Sequence, residues 1–367
     1  MSSNRIDAID AARGTAMLGV FLSHFAYGYF NRGVTVSYLP WLFYVAMLAS
    51  PMFMIISGVV LGFLYETHKE NFEKIKLKLI VRGLFLMGVG HILIVIAHIP
   101  AAGSIVGALH WGFITDIIGM NLVIGPLLIG LIRPRERIAF GVLLYAFSIV
   151  VGLAWHPTAF ALQVFKEMIF GEEYGKGVFT EFFPFIPWFS LYFLSSCIGE
   201  RIGRYHLQNN TTRMAALVFK VAVGSLCSVL VLKVGFYLVN VWGLLPDSAP
   251  LFRALVSLFH KRPPLPGYFL FFGGVGLLLL FALLKFERQD RLSREFSKVL
   301  VMVGRTSLFV FIVQYYVYFG IFTELRLPYS PLWPAYFLLS VAFILLLSKM
   351  WYQKRIRHTA LSWRMDW

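Results

Sequence analysis

Stretches of about 20 mostly apolar residues recur from one end of the chain to the other, separated by short polar segments. A helix of that length crosses the ~30 Å hydrocarbon core of a bilayer at ~1.5 Å per residue. The pattern predicts about ten spans, at roughly 9–30, 41–65, 77–99, 107–132, 138–155, 184–200, 214–234, 266–286, 296–320 and 332–350. The polar segments fall into two alternating sets. One is rich in cations: Lys69 to Arg82, Arg133 to Arg137, Arg201 to Arg213, Lys285 to Lys298, and the tail from Lys349. The other holds only scattered ones, such as Arg32, Lys166 and Arg253. Cationic loops stay on the cytoplasmic side. The fold class predicted is therefore all-α, a polytopic membrane helical bundle with both termini in the cytoplasm.

Composition sharpens this. Hydrophobic residues make up 59% of the 367 and charged residues 14%, where a soluble domain carries about 25% charged residues. The net charge of +15 would suit a nucleic-acid partner, but its excess lies in alternate loops, so it reads as a topology signal; the bilayer is the partner it implies. The Arg133-Pro-Arg-Glu-Arg137 cluster reads the same way. Cys197 and Cys227 both lie in apolar stretches, and neither a disulfide framework nor a cysteine metal site is indicated. The first apolar run continues to Phe30, too long for a cleaved signal segment. Residues 1–367 read as one membrane domain. Two loops on the far side are long, 156–183 and 235–265, with apolar stretches that suit interfacial or re-entrant helices. A polar substrate held there would meet Glu181; the alternative is a cap on the bundle.

The first span carries the chain's most unusual polar residues. Asp10, Arg13 and His24 sit in or at the mouth of an apolar helix, where ionisable groups are costly and mark function by default. Arg13 and His24 are eleven residues apart, three turns plus roughly 20°, so they share a face and stand ~16 Å apart along the axis. Asp10 is placed to pair with Arg13 at i, i+3. The competing reading makes Arg13 a snorkelling anchor and His24 a hydrogen-bonded bundle residue.

Ile9-Asp10-Ala11-Ala12-Arg13-Gly14 followed by His24 resembles the start of the membrane acyltransferase superfamily, the acyltransferase-3 clan. Phe53-Met54-Ile55-Ile56-Ser57-Gly58 is similar to that clan's aromatic-rich Ser-Gly segment, and Gly304-Arg305-Thr306-Ser307-Leu308-Phe309 to its Gly-Arg-x-Ser-Leu lead into a late helix. Phe182-Phe183-Pro184-Phe185-Ile186-Pro187-Trp188 resembles a segment of the heparan-α-glucosaminide N-acetyltransferase-like branch. Two departures stand out. Gln314 lies where many relatives have a His, and Thr115-Asp116-Ile117-Ile118-Gly119 with His91 is closer to the glucan-succinylating branch.

The resemblance implies an acyl-CoA donor, acetyl-CoA foremost, on the cytoplasmic side of a cell membrane, a bacterial inner membrane in particular. It implies an acceptor hydroxyl or amine on a glycan or glycolipid; a metal is not expected, since His91 and His98 have no carboxylate or cysteine companions at ligand spacing. CoA phosphates call for Arg or Lys at the cytoplasmic mouth, and Arg13, Lys78, Arg82 and Arg305 are the candidates. The pantetheine arm, on the order of 15–20 Å, matches the ~16 Å from Arg13 to His24. His24 would then act as general base or as acyl carrier. Asp116 would orient it, or would instead pair with His91, His98 or His110. Ser57 would donate to the thioester oxygen, or Ser57-Gly58 would only permit close packing. His91 and Gln314 would support the site. Trp188 would stack on a sugar or sit in an interface belt. Acceptor, acyl chain and oligomeric state stay open. A transporter with the same intramembrane charges is the rival class, but no second half of the chain repeats the Asp10, Arg13, His24 set, as many transporter folds would.

Overall fold

The structure, a computed structural model, describes residues 5–30, 40–171, 178–179, 183–242, 249–289, 295–325, 327 and 330–361. In chain order the helices are α1 (Asp7–Tyr29), α2 (Pro40–Thr67), α3 (Phe72–Phe85), α4 (His91–Ala102), α5 (Ile105–Leu109), α6 (Ile114–Leu128), α7 (Pro134–Ala154) and α8 (Phe160–Ile169). They continue as α9 (Phe185–Leu207), α10 (Thr211–Val241), α11 (Ala249–Val256), α12 (Pro266–Arg288), α13 (Glu295–Arg305), α14 (Ser307–Tyr315), α15 (Phe322–Leu325) and α16 (Trp333–Leu361). Two π-helical stretches interrupt the pattern, Leu86–Gly90 before α4 and Tyr316–Ile321 after α14. No strand occurs among the described residues.

Among those residues six stretches are long and apolar enough to cross a membrane: Tyr44–Thr67, Lys69–Ala102, Thr211–Val241, Pro266–Arg288, Ser307–Leu325 and Trp333–Lys354. About ten were expected. α1 and α9 are not among the six because Arg13 and His24 in one, and Glu200 and Arg201 in the other, interrupt the apolar run. Leu230, Val231, Leu339 and Leu346 are more than half exposed on α10 and α16. Such outward apolar side chains suit hydrocarbon rather than water, and the chain is a multi-pass membrane protein.

The helices gather into two compact units, one from residues 1–49, 93–108 and 285–367, the other from 50–92 and 109–284. In the first unit, α1 begins under a carboxylate cap: Glu287 accepts from the N–H groups of Asp7 (2.8 Å) and Ala8 (3.2 Å), satisfying donors that a helix start leaves open. α1 packs on α13 through two glycines. A Cβ on Gly14 would lie 2.0 Å from the Leu300 carbonyl oxygen, and one on Gly304 1.8 Å from that of Asp10. Farther along α1, Phe25 stacks on Tyr29 and packs against Tyr318, Phe322 and Phe337.

The second unit is held by the same device. Gly58 and Gly62 of α2 meet the carbonyls of Tyr192 and Ser196 on α9, and Gly199 meets that of Val59; a Cβ at any of them would be within 2.0 Å of oxygen. Arg137, fully buried, donates to the Ile132 carbonyl, to Ser196 Oγ and to the Glu200 carboxylate. It is an interior strut, so the basic cluster Arg133–Arg137 is more than a topology signal. In the long loop 156–183, α8 turns Phe160 and Phe165 outward and buries Lys166 and Glu167. The Glu167 carboxylate accepts from the amides of Val178 (2.6 Å) and Phe179 (3.0 Å).

Candidate active site

α1 is continuous from Asp7 to Tyr29 with no internal proline, so Arg13 and His24 do stand on one helix face, ~16 Å apart along its axis. Their neighbours come from residues 305–319. At the N-terminal end Arg13 lies 3.8 Å from Asp10 Oδ1. The other Asp10 oxygen accepts from Arg305 Nε at 3.2 Å. Arg305 also donates to Asp7 (2.6 Å) and to the Tyr352 hydroxyl (3.0 Å). Two cations and two carboxylates thus alternate there, with Arg13 and Arg305 about a quarter exposed or less. The two glycine contacts explain the arrangement: only with α1 and α13 at backbone contact does Arg305 reach both aspartates.

At the other end, His24 is half-buried, and its Nδ1 is 2.8 Å from Gln314 Oε1. Gln314 is fully buried, and its amide nitrogen donates to the Phe311 carbonyl at 3.1 Å. Tyr315 and Phe319 approach the imidazole edge-on, with ring centroids at 4.9 and 5.0 Å, and Phe311 stands at 6.4 Å. The π-helical turn carries Phe319 into register with Tyr315, on which it stacks. Such turns recur at functional sites. A second imidazole, His98 of α4, packs on the same pair, 4.6 Å from Phe319 and 6.3 Å from Tyr315.

Other expected site residues belong to the second unit. Asp116, read as a partner for His24, is bonded to His91: both carboxylate oxygens are 3.0 Å from His91 Nδ1. One of them also accepts from the Phe113 amide at the start of α6 (3.3 Å). That is the second unit, as it is for Ser57, Lys78, Arg82 and Trp188. Ser57 is half-buried beside the Gly58 contact; Lys78 and Arg82 are exposed on α3. Trp188 is fully buried, packed against Phe183 and Phe269. Glu181 lies outside the described residues. Among the described residues no three His, Cys, Asp or Glu side chains gather as metal ligands.

Sequence reasoning missed Glu287, Asp7, Tyr352 and the placement of His98. Only Asp7 carried a signal, one turn before Asp10 on the same helix. No curated protein and no solved structure matches the chain. A family model described as an acyltransferase domain, Acyl_transf_3, matches residues 6–349 and so takes in every side chain of the α1 site except Tyr352. With Asp10-Arg13-Gly14 set against Gly304-Arg305 and His24 set against Gln314, the chain belongs to the acyltransferase-3 family of membrane acyltransferases.

Proposed function

We propose that the chain transfers an acyl group, acetyl foremost, from acyl-CoA to a hydroxyl or amine of a glycan or glycolipid, with His24 as general base. The observation that carries this reading is the polar face of α1. It presents Arg13 and Arg305 at one end and a base at the other, at a spacing that suits the pantetheine arm. With both termini cytoplasmic, as the loop charges favour, the cation end faces the cytoplasmic supply of acyl-CoA. Arg13 supplies forked donors to a CoA phosphate, while Arg305, held by Asp7, Asp10 and Tyr352, braces Asp10 and through it Arg13.

In the reaction the acceptor's O–H or N–H gives its proton to the lone-pair nitrogen of His24 as the acceptor atom attacks the thioester carbonyl. The C–S bond breaks, and the CoA thiolate leaves with the proton returned from the imidazolium. The edge-on rings of Phe311, Tyr315 and Phe319 keep bulk water from the activated carbonyl and limit competing hydrolysis. Purified protein incubated with acetyl-, succinyl- and longer acyl-CoAs, read by thermal shift, tests the donor site and reports the chain preference. Stabilisation by one acyl-CoA over free CoA is the expected result; no shift with any of them overturns the reading.

A further inference from the structure

We infer that Gln314 is a positioning residue that locks His24 in a single tautomer, proton on Nδ1 and lone pair on Nε2. The assignment follows from the amide's two contacts. Gln314 Nε2 is 3.1 Å from the Phe311 carbonyl oxygen, a group that only accepts. Turning the amide over would put two carbonyl oxygens face to face at that distance, with the amide buried away from water that could relieve them. Gln314 Oε1 therefore faces His24 Nδ1 at 2.8 Å. A carbonyl oxygen has no proton to give, so Nδ1 carries one. In the neutral ring the lone pair is then on Nε2.

The partner's charge matters as much as its geometry. A carboxylate in the same place would also select the Nδ1–H tautomer, but it would stabilise the imidazolium as well. The amide selects the tautomer and adds no negative charge. The His24 ring meets Phe311, Gln314, Tyr315 and Phe319 of α14 and the π-helical turn. Tyr315 and His98 are titratable groups in this surround.

The functional part of this inference rests on His24 being the base; the tautomer itself does not. Protein labelled with ¹⁵N-histidine separates the two, because pyrrole-type and pyridine-type nitrogens give distinct ¹⁵N shifts. The His24 signal is assigned by its loss in His24→Asn. In the wild type at neutral pH, Nδ1 is expected as the protonated nitrogen and Nε2 as the bare one. In Gln314→Leu both tautomers are expected. An Nε2–H ring in the wild type, or an unchanged single tautomer in Gln314→Leu, overturns the proposal. Should Gln314→Leu fail to fold, the wild-type spectrum still decides the tautomer. Gln314→Glu, nearly isosteric, decides the charge argument: the acidic limb of its rate–pH profile is expected to move to higher pH by about one unit or more. An unmoved limb overturns that part. A correct tautomer in a protein that transfers no acyl group would leave the lock standing and remove the functional reading instead.

Discussion

Two histidines in this protein are held in nearly the same way and differ in one atom type. His24 offers Nδ1 to the amide oxygen of Gln314 at 2.8 Å; His91 offers Nδ1 to the two oxygens of Asp116 at 3.0 Å. Each pair adjoins a π-helical turn, Tyr316–Ile321 in one case and Leu86–Gly90 in the other. Asp116 has a second duty, accepting the Phe113 amide where α6 begins. That pair closes on itself: the carboxylate holds the imidazole and accepts an amide at a helix start. The amide of Gln314 is spent on orientation alone. Under the proposed reading, the imidazole with the neutral partner takes part in the chemistry and the one with the charged partner holds helices together.

The largest test of this comparison is therefore kinetic. His24→Ala is expected to lower labelled acyl transfer by about 10²–10⁴-fold, the usual contribution of a positioned general base. His91→Ala is expected to cost far less once the folded fraction is counted. Equal losses, or a larger loss at His91, would reverse the assignment of roles.

Charge clusters repeat the lesson on a second scale. Arg13, Asp10 and Arg305 remain 15–25% exposed, whereas Arg137 and Glu200 are 1% and 6% exposed. Removing one member of a buried pair strands the other in the interior. Glu200→Gln is expected to cost about 3 kcal/mol of stability, seen as a lower thermal midpoint in detergent, with acyl-CoA affinity of the folded protein unchanged. An unaltered midpoint would mean that Arg137 keeps its place through Ser196 and Ile132 alone. Arg13→Ala is expected to do the reverse, leaving the midpoint nearly as it was and weakening acyl-CoA binding about tenfold, or ~1.4 kcal/mol. The loss should shrink as salt is raised, since a partly exposed cation is screened. Unchanged affinity would take Arg13 out of the donor site.

What could be read from the sequence followed from separation along the chain. The shared face of Arg13 and His24 and the Asp10–Arg13 pair are matters of 3.6-residue periodicity. Both are present because α1 is unbroken. The partners across nearly 300 residues were not legible. Nothing local says that Gly14 opens space for the Leu300 carbonyl, that Glu287 caps α1, or that Gln314 rather than Asp116 holds His24. The sequence left Asp116 between His24 and three other histidines, and only tertiary packing chose His91. Trp188 shows the same limit. A tryptophan beside two prolines at a helix start suits an interface, yet Phe183 and Phe269 close over it. Cation counting gave Arg137 a side of the membrane but not its burial against Ser196.

The smallest expected effect concerns neighbours on α2, and it separates packing from chemistry. Gly58 has the Tyr192 carbonyl oxygen 2.0 Å from where a Cβ would stand, so Gly58→Ala must push α9 away and should be among the costlier glycine changes in the second unit. Ser57, half-buried next to it, meets no such limit. If the Ser-Gly pair exists for close approach, Ser57→Ala should leave transfer within about twofold of wild type, the range of changes that touch no special feature. If Ser57 donates a hydrogen bond to the thioester oxygen as charge builds there, the same change should cost about 10²-fold in kcat with little change in acyl-CoA affinity. That larger loss would bring a residue of the second unit into the chemistry and end the division of labour drawn from the two histidines.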